Sequence, residues 1–276
     1  MTVAHDDRPI GIFDSGIGGL TVASVIRQAL PSERLLYFGD TAHMPYGQRH
    51  LDEVRKFSFG IVDALRRKHC KMVVIACNTA SAAALSALRE AHPGYLFVGM
   101  EPAVKPAVEH TRTGTVGVIA TTATFQSELY ASVVERFAQD VQVLHQPCPG
   151  LVKQIEAGEL DTPLTEEMLR GWLQPMLDKH IDALVLGCTH YPIVRPLIER
   201  IVGPGVRIVD PAPAIARQVQ RLLESYALTS MPTAKGSLTC WTSGEPSTFH
   251  VLLERLGLGS TEVRAAQWSG DVLNLP

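Results

Sequence analysis

The feature that most constrains this chain is a repeated strand. KHCKMVVIACNT (68–79) and KHIDALVLGCTH (179–190) align without a gap, 111 positions apart. Each copy runs from a Lys-His pair into a short apolar segment, then a cysteine, then a polar dipeptide. A second match, IGIFDS (10–15) against VGVIAT (116–121), falls at the nearby offset of 106. Two strands repeating at almost one spacing point to a duplicated unit. The rest of the chain says what kind of unit. Apolar runs at 8–13, 34–40, 71–76, 95–100, 114–120, 141–145, 182–187 and 206–210 alternate with helical patterns at 18–29, 52–68, 79–91, 124–138, 150–157, 165–179, 192–202 and 212–225. Strands apolar on both faces and separated by helices belong in parallel sheets covered on both sides, an α/β fold. The Pro-rich stretch 92–110 is the expected crossing into the second unit, and DPAPA (210–214) the crossing back. The expected domains are therefore 1–97 with 211–276, and 98–210.

Composition excludes several classes. Lys and Arg number 25 against 28 Asp and Glu, a net charge of −3, which gives no polycationic face for nucleic acid or anionic lipid. No apolar run reaches the roughly 18 residues that span a bilayer. The opening MTVAHDDRPI lacks the apolar centre of a secretory signal. Five cysteines with no CxxC pair argue against a disulfide framework and for a reducing cytoplasm.

In parallel α/β sheets, function collects beyond the carboxyl ends of the strands. Cys77 and Cys188 sit there, each ahead of a helix, where unpaired N–H groups and the helix dipole favour a thiolate. Either cysteine alone reads equally well as a buried core thiol; two in equivalent places of a repeat read as chemistry. DSGIGG (14–19) offers Asp14 as a carboxylate near a thiol and Ser15 as an anion ligand, or simply a helix cap. It does not meet GxGxxG, and GxxxxGK[ST] is absent, so a dinucleotide or ATP site is not expected. GDTAHMPYG (39–47) is a polar loop in which Pro45 fixes the backbone and Gly47 permits close approach. Thr121 and Thr124 follow strand 114–120 and suit a small anion. Cys77, Cys188 and His190 could supply three zinc ligands, but their spacing fits no common zinc pattern.

Two thiols facing each other across a cleft suit inversion of a stereocentre. A base on one face and an acid on the other exchange a proton through the carbon, with roles that swap with direction. Asp14 and His190 are placed to tune or relay those protons, and Ser, Thr and Asn side chains to hold carboxylates. A Schiff-base lysine beside a phosphate cup is not visible, so PLP is not expected.

GIFDSGIGGLTV, YFGDTAHMPYG, VVIACNTASA, EPAVKP and LVLGCTHYP, in this order from about Ile10 to about Leu256, closely resemble the glutamate racemase family. The resemblance implies two pseudo-symmetric α/β domains with the active site in the cleft between them, and interconversion of L- and D-glutamate for peptidoglycan synthesis without cofactor or metal. It assigns Cys77 to proton removal from D-glutamate, assisted by Asp14, and Cys188 to L-glutamate, assisted by His190 and Glu156. Ser15, Tyr46, Gly47, Asn78, Thr79, Thr121, Thr124 and Thr189, with Asp14 and His190, match substrate-binding positions. It further implies a cytoplasmic homodimer. Two departures stand out: Glu245 where the family commonly has Asp, and no long N-terminal extension of the kind found in members activated by a cell-wall precursor. Competing readings are a related racemase or decarboxylase acting on aspartate, a hydantoin or a malonate, and a non-catalytic amino-acid binder.

Overall fold

The repeated segments occupy equivalent places in two parallel sheets. In a computed structural model, residues 5–259 and 261–276 are described. The chain begins β1 (Ile10–Asp14), α1 (Leu20–Ala29), β2 (Arg34–Gly39), α2 (Leu51–Arg67), β3 (Met72–Ile75), α3 (Asn78–Ala91), β4 (Leu96–Gly99). It crosses through α4 (Val104–Val108) into β5 (Thr115–Ala120), α5 (Thr122–Phe125), α6 (Glu128–Phe137), β6 (Gln142–Pro147), α7 (Leu151–Glu156), α8 (Pro163–Leu177), β7 (Ala183–Gly187), α9 (Arg195–Val202) and β8 (Arg207–Val209). It returns through α10 (Ala212–Ser225), β9 (Ser237–Thr242), α11 (Ser247–Arg255) and β10 (Glu262–Ala265), and ends in a hairpin of β11 (Gln267–Ser269) and β12 (Val272–Asn274). The first sheet has strand order β10-β9-β2-β1-β3-β4 and the second β6-β5-β7-β8. Every neighbouring pair in both is parallel; only the terminal hairpin is antiparallel.

The order β2-β1-β3-β4 thus reappears as β6-β5-β7-β8, and the register repeats with it. Ile10 lies opposite Met72, and Val116 opposite Ala183, the residues that the two sequence offsets superpose. The repeated Lys-His pair has a structural explanation. His69 and His180 adopt left-handed φ of 58° and 56° just past α2 and α8. Cys70 N then donates to Leu65 O (3.2 Å) and Ile181 N to Met176 O (3.5 Å), closing each helix and turning the chain into β3 or β7.

Strand alternation explains the continuous apolar runs. Ile10, Ile12, Met72 and Val74 face one layer with α1 and α10, while Phe13, Val73 and Ile75 face α2 and α3 on the other side. Both faces of β1 and β3 are buried, so no polar residue interrupts these strands before Asp14. The pattern at 124–138 is two helices, because the Ser127 Oγ accepts from Tyr130 N (3.2 Å) and starts α6 afresh. The chain leaves the first sheet after Gly99, so the division expected at 97/98 falls inside β4. Among the described residues no helix is long and apolar enough to cross a membrane.

Candidate active site

The carboxyl ends of β1, β3, β5 and β7 converge on one cavity between the sheets. Asp14, Ser15, Cys77, Asn78 and Thr79 line it from the first half of the fold, with Tyr46 and Gly47 from the loop after β2. Thr121, Cys188, Thr189 and His190 line it from the second half. Both repeated cysteines therefore open on the same space, 5% and 7% exposed.

On the first side, Cys77 caps α3, and its Sγ accepts from Ala80 N at 3.5 Å. Its thiol lies 4.0 Å from Ser15 Oγ. Asp14 is fully buried; its Oδ2 accepts from Gly19 N (2.8 Å) and from Thr189 Oγ1 (3.5 Å), a residue of the other half. Asp14 Oδ1 has no hydrogen-bond partner among the described residues. Burial raises the Asp14 carboxyl above its ordinary value, although the nearby His190 opposes this. Burial also pushes the Cys77 thiol well up, and the Asp14 charge beside it adds to the effect. Both effects act against the thiolate, and the single Ala80 N–H of the helix start acts for it.

The second side is built differently. Cys188 Sγ lies 3.8 Å from His190 Nδ1, and His190 Nε2 lies 2.6 Å from Glu156 Oε1. The same carboxylate oxygen accepts from Ile17 N at 2.9 Å. Burial pulls His190 downward, but its contacts with Cys188 and Glu156 prevail and hold its pKa well above the usual histidine value. The repeat does not extend to these assisting groups. The 106 offset places Ala120 where Asp14 stands, and the 111 offset places Thr79 where His190 stands.

The glycines of DSGIGG are required by this packing. A Cβ at Gly16 would lie 2.1 Å from Glu156 Oε1, and one at Gly18 would lie 2.4 Å from His190 Nδ1. The loop after β1 can therefore press against the His190–Glu156 pair only without side chains there.

Around the thiols are further polar groups, of which the Asn78 amide has no partner among the described residues. Asn78 is buried, and both atoms of its amide lack hydrogen bonds. Thr79 Oγ1 meets Thr121 Oγ1 at 3.1 Å, which in turn meets Thr124 Oγ1 at 2.9 Å. Thr124 stands behind Thr121 and does not line the cavity; Glu156 likewise stands behind His190. Tyr46 donates its hydroxyl to Asp40 Oδ2 (2.6 Å). Asp40 escaped the sequence reading. Its buried carboxylate also accepts from Ser243 Oγ and Trp268 Nε1, each at 2.8 Å, partners more than 200 positions away. Gln48, Cys148, Val152 and Lys153 also line the cavity without having been singled out. Among the described residues no three His, Cys, Asp or Glu side chains gather in a way that could hold a metal ion.

A model of the Asp/Glu/hydantoin racemase family matches residues 20–219. The glutamate racemase of Roseiflexus sp. (strain RS-1) is 48% identical over 260 residues, 94% of this chain and 96% of that one. Among solved structures, a glutamate racemase isoform from Bacillus anthracis superposes with a TM-score of 0.87 at 34% identity, covering 97% of this chain and 100% of its own. The glutamate racemase of Francisella tularensis subsp. tularensis SCHU S4, solved in complex with D-glutamate, gives a TM-score of 0.82 at 32% identity, covering 94% and 97%.

Proposed function

Given that this chain belongs to the Asp/Glu/hydantoin racemase family, we propose that it interconverts L- and D-glutamate by proton transfer between two cysteines. The observation that carries this reading is the pair of thiols, Cys77 and Cys188, ending equivalent strands and opening on one cavity. With the substrate α-carbon between them, one sulfur enters as thiolate and removes the α-proton. The other enters as thiol and delivers a proton to the opposite face. For D-glutamate the base is Cys77; for L-glutamate it is Cys188. Each turnover leaves the two sulfurs in exchanged protonation states, which the reverse reaction or solvent restores.

The assisting groups follow from their placement. Asp14 stands beside Cys77 and Ser15. His190, held by Glu156, stands beside Cys188 and supplies positive charge near a developing thiolate or carbanion. Asn78, Ser15, Thr79, Thr121 and Thr189 offer donors for carboxylates, with Tyr46 and Gly47 closing one side and Thr124 supporting Thr121. No PLP or metal takes part in this scheme. Lys71, the lysine next to β3, is sealed in an ion pair with Glu33 (2.6 Å) and is not available to form a Schiff base. We place the enzyme in the cytoplasm as a homodimer of two-domain subunits, one domain on each sheet, supplying D-glutamate to peptidoglycan synthesis. Five unpaired cysteines fit a reducing compartment.

The deciding experiment follows L-glutamate in D2O by NMR with the purified, chelator-dialysed protein. The expected result is loss of the α-proton signal together with appearance of the D-enantiomer. Binding without exchange would establish the amino-acid binder instead, and faster exchange of aspartate would move the substrate to the neighbouring racemase class.

A further inference from the structure

The cavity has a charge that this mechanism leaves unused. Lys153 lies on α7, three residues before Glu156. Leu151 and Ile155 of that helix are buried in the second core, and Glu156 turns inward to His190. Lys153 instead stays exposed, and still lines the cavity. Its side chain makes no hydrogen bond or ion pair among the described residues, whereas Arg170, Arg195 and Arg200 of the same half are all paired with carboxylates. Among the residues lining the cavity it is the one Lys or Arg. Cys148, Pro149, Gly150 and Val152, its neighbours in sequence that also line the cavity, are uncharged, as are Pro45 and Gln48.

That isolation matters for the substrate proposed above. Glutamate brings two carboxylates and one ammonium, a net negative charge, towards a chain whose own net charge is −3. Inside the site Asp14 is buried and His190 is engaged by Glu156 at 2.6 Å, so neither offers an exposed charge to the incoming anion. A solvent-exposed cation at the opening acts over a distance, before any contact is made, and its effect is set by ionic strength.

We propose that Lys153 is the electrostatic capture residue of the site, drawing the anionic amino acid in and raising kcat/KM through KM. This rests on the glutamate reading. The test compares wild type with Lys153→Gln and Lys153→Arg in both directions, from about 0.01 M to about 1 M salt, over which the screening length falls from about 30 Å to about 3 Å. At low salt Lys153→Gln is expected to raise KM for both enantiomers about three- to tenfold, the size of one partly screened charge, with kcat within about twofold. Lys153→Arg restores the wild-type KM, and high salt abolishes the difference. Inhibition by glutamine, which lacks the side-chain charge, changes less than glutamate KM. Equal KM values at low salt, or a defect in kcat that salt does not relieve, would overturn the capture role while leaving the racemase intact. A wild type that turns over neither enantiomer overturns the glutamate reading itself, and this proposal with it.

Discussion

At Cys77 two effects act on one sulfur. The start of α3 donates a single N–H to it, which favours the thiolate, while full enclosure and the Asp14 charge favour the thiol more strongly. Enclosure and charge thus act against the thiolate, so under the proposed mechanism, in which Cys77 must ionise to take the proton of D-glutamate, kcat/KM should gain as pH rises from neutral towards the alkaline side. A pH–rate profile that is flat above neutrality would contradict this. Replacing either sulfur should remove one proton carrier. Cys77→Ser and Cys188→Ser are each expected to lower racemisation by at least about a thousandfold, the upper part of the range for proton transfer. Each should still eliminate a leaving group from an analogue of one enantiomer only, the two variants choosing opposite enantiomers. Identical preferences would show that the sulfurs do not serve separate faces. Gly18 contributes by lacking a side chain. An alanine methyl there would meet the His190 imidazole at 2.4 Å. Gly18→Ala should leave the melting transition cooperative yet cut kcat about a hundredfold, the scale of a displacement near 1 Å at a reacting group.

The elements β3 and β7 were legible because burial on both faces writes them as unbroken apolar runs, each followed closely by a cysteine and a polar dipeptide. Their paired Lys-His approach was visible too, but its reason was not: a left-handed residue leaves no mark in hydrophobic periodicity. Since His69 and His180 are exposed and make no side-chain hydrogen bond among the described residues, His69→Gly and His180→Gly should each stabilise the fold by about 0.5–1 kcal/mol in urea unfolding, because glycine adopts that turn without the Cβ strain. A loss of stability would mean the histidine rings contribute packing that outweighs the backbone. Helix boundaries blurred where a side chain intervened, as at Ser127, whose hydroxyl restarts the helix inside an otherwise continuous amphipathic pattern. The site was half legible for a related reason. Cys77 and Cys188 announce themselves by a repeated strand end, whereas Asp40, though it follows β2, makes its contacts with the distant Ser243 and Trp268, and Cys148 after β6 and Lys153 on a short helix belong to no repeat.

At the scale of the whole molecule, enclosure of thiols ties stability to alkali. Burial pushes Cys70 and Cys240 up to about 12, and acts in the same direction on Cys77 and Cys148. An unfolded cysteine ionises near 8.5, so above that pH the unfolded chain sheds protons that the native chain retains. Stability should be unaffected by these groups below about pH 8.5, then fall by about 1.4 kcal/mol per pH unit for each such thiol until its native value is passed. Urea midpoints at pH 8 and pH 10 test this, and a Cys70→Ala, Cys240→Ala variant should show a shallower decline; an equal slope would locate the alkaline loss elsewhere. The two halves also meet through polar links, Thr189 to Asp14, Ile17 to Glu156 and Thr79 to Thr121, so the groups lining each side of the cavity lean on the other. Those sides are chemically unlike, with a carboxylate at one sulfur and an imidazole–carboxylate pair at the other. Mirror-image amino acids, however, have identical free energies in water, so at equilibrium the enzyme must leave them in equal amounts. The specificity constants for the two antipodes are then forced to be equal, and the difference between the flanking groups can surface only as an offset: whichever antipode turns over faster at saturation must require a proportionately higher concentration to saturate.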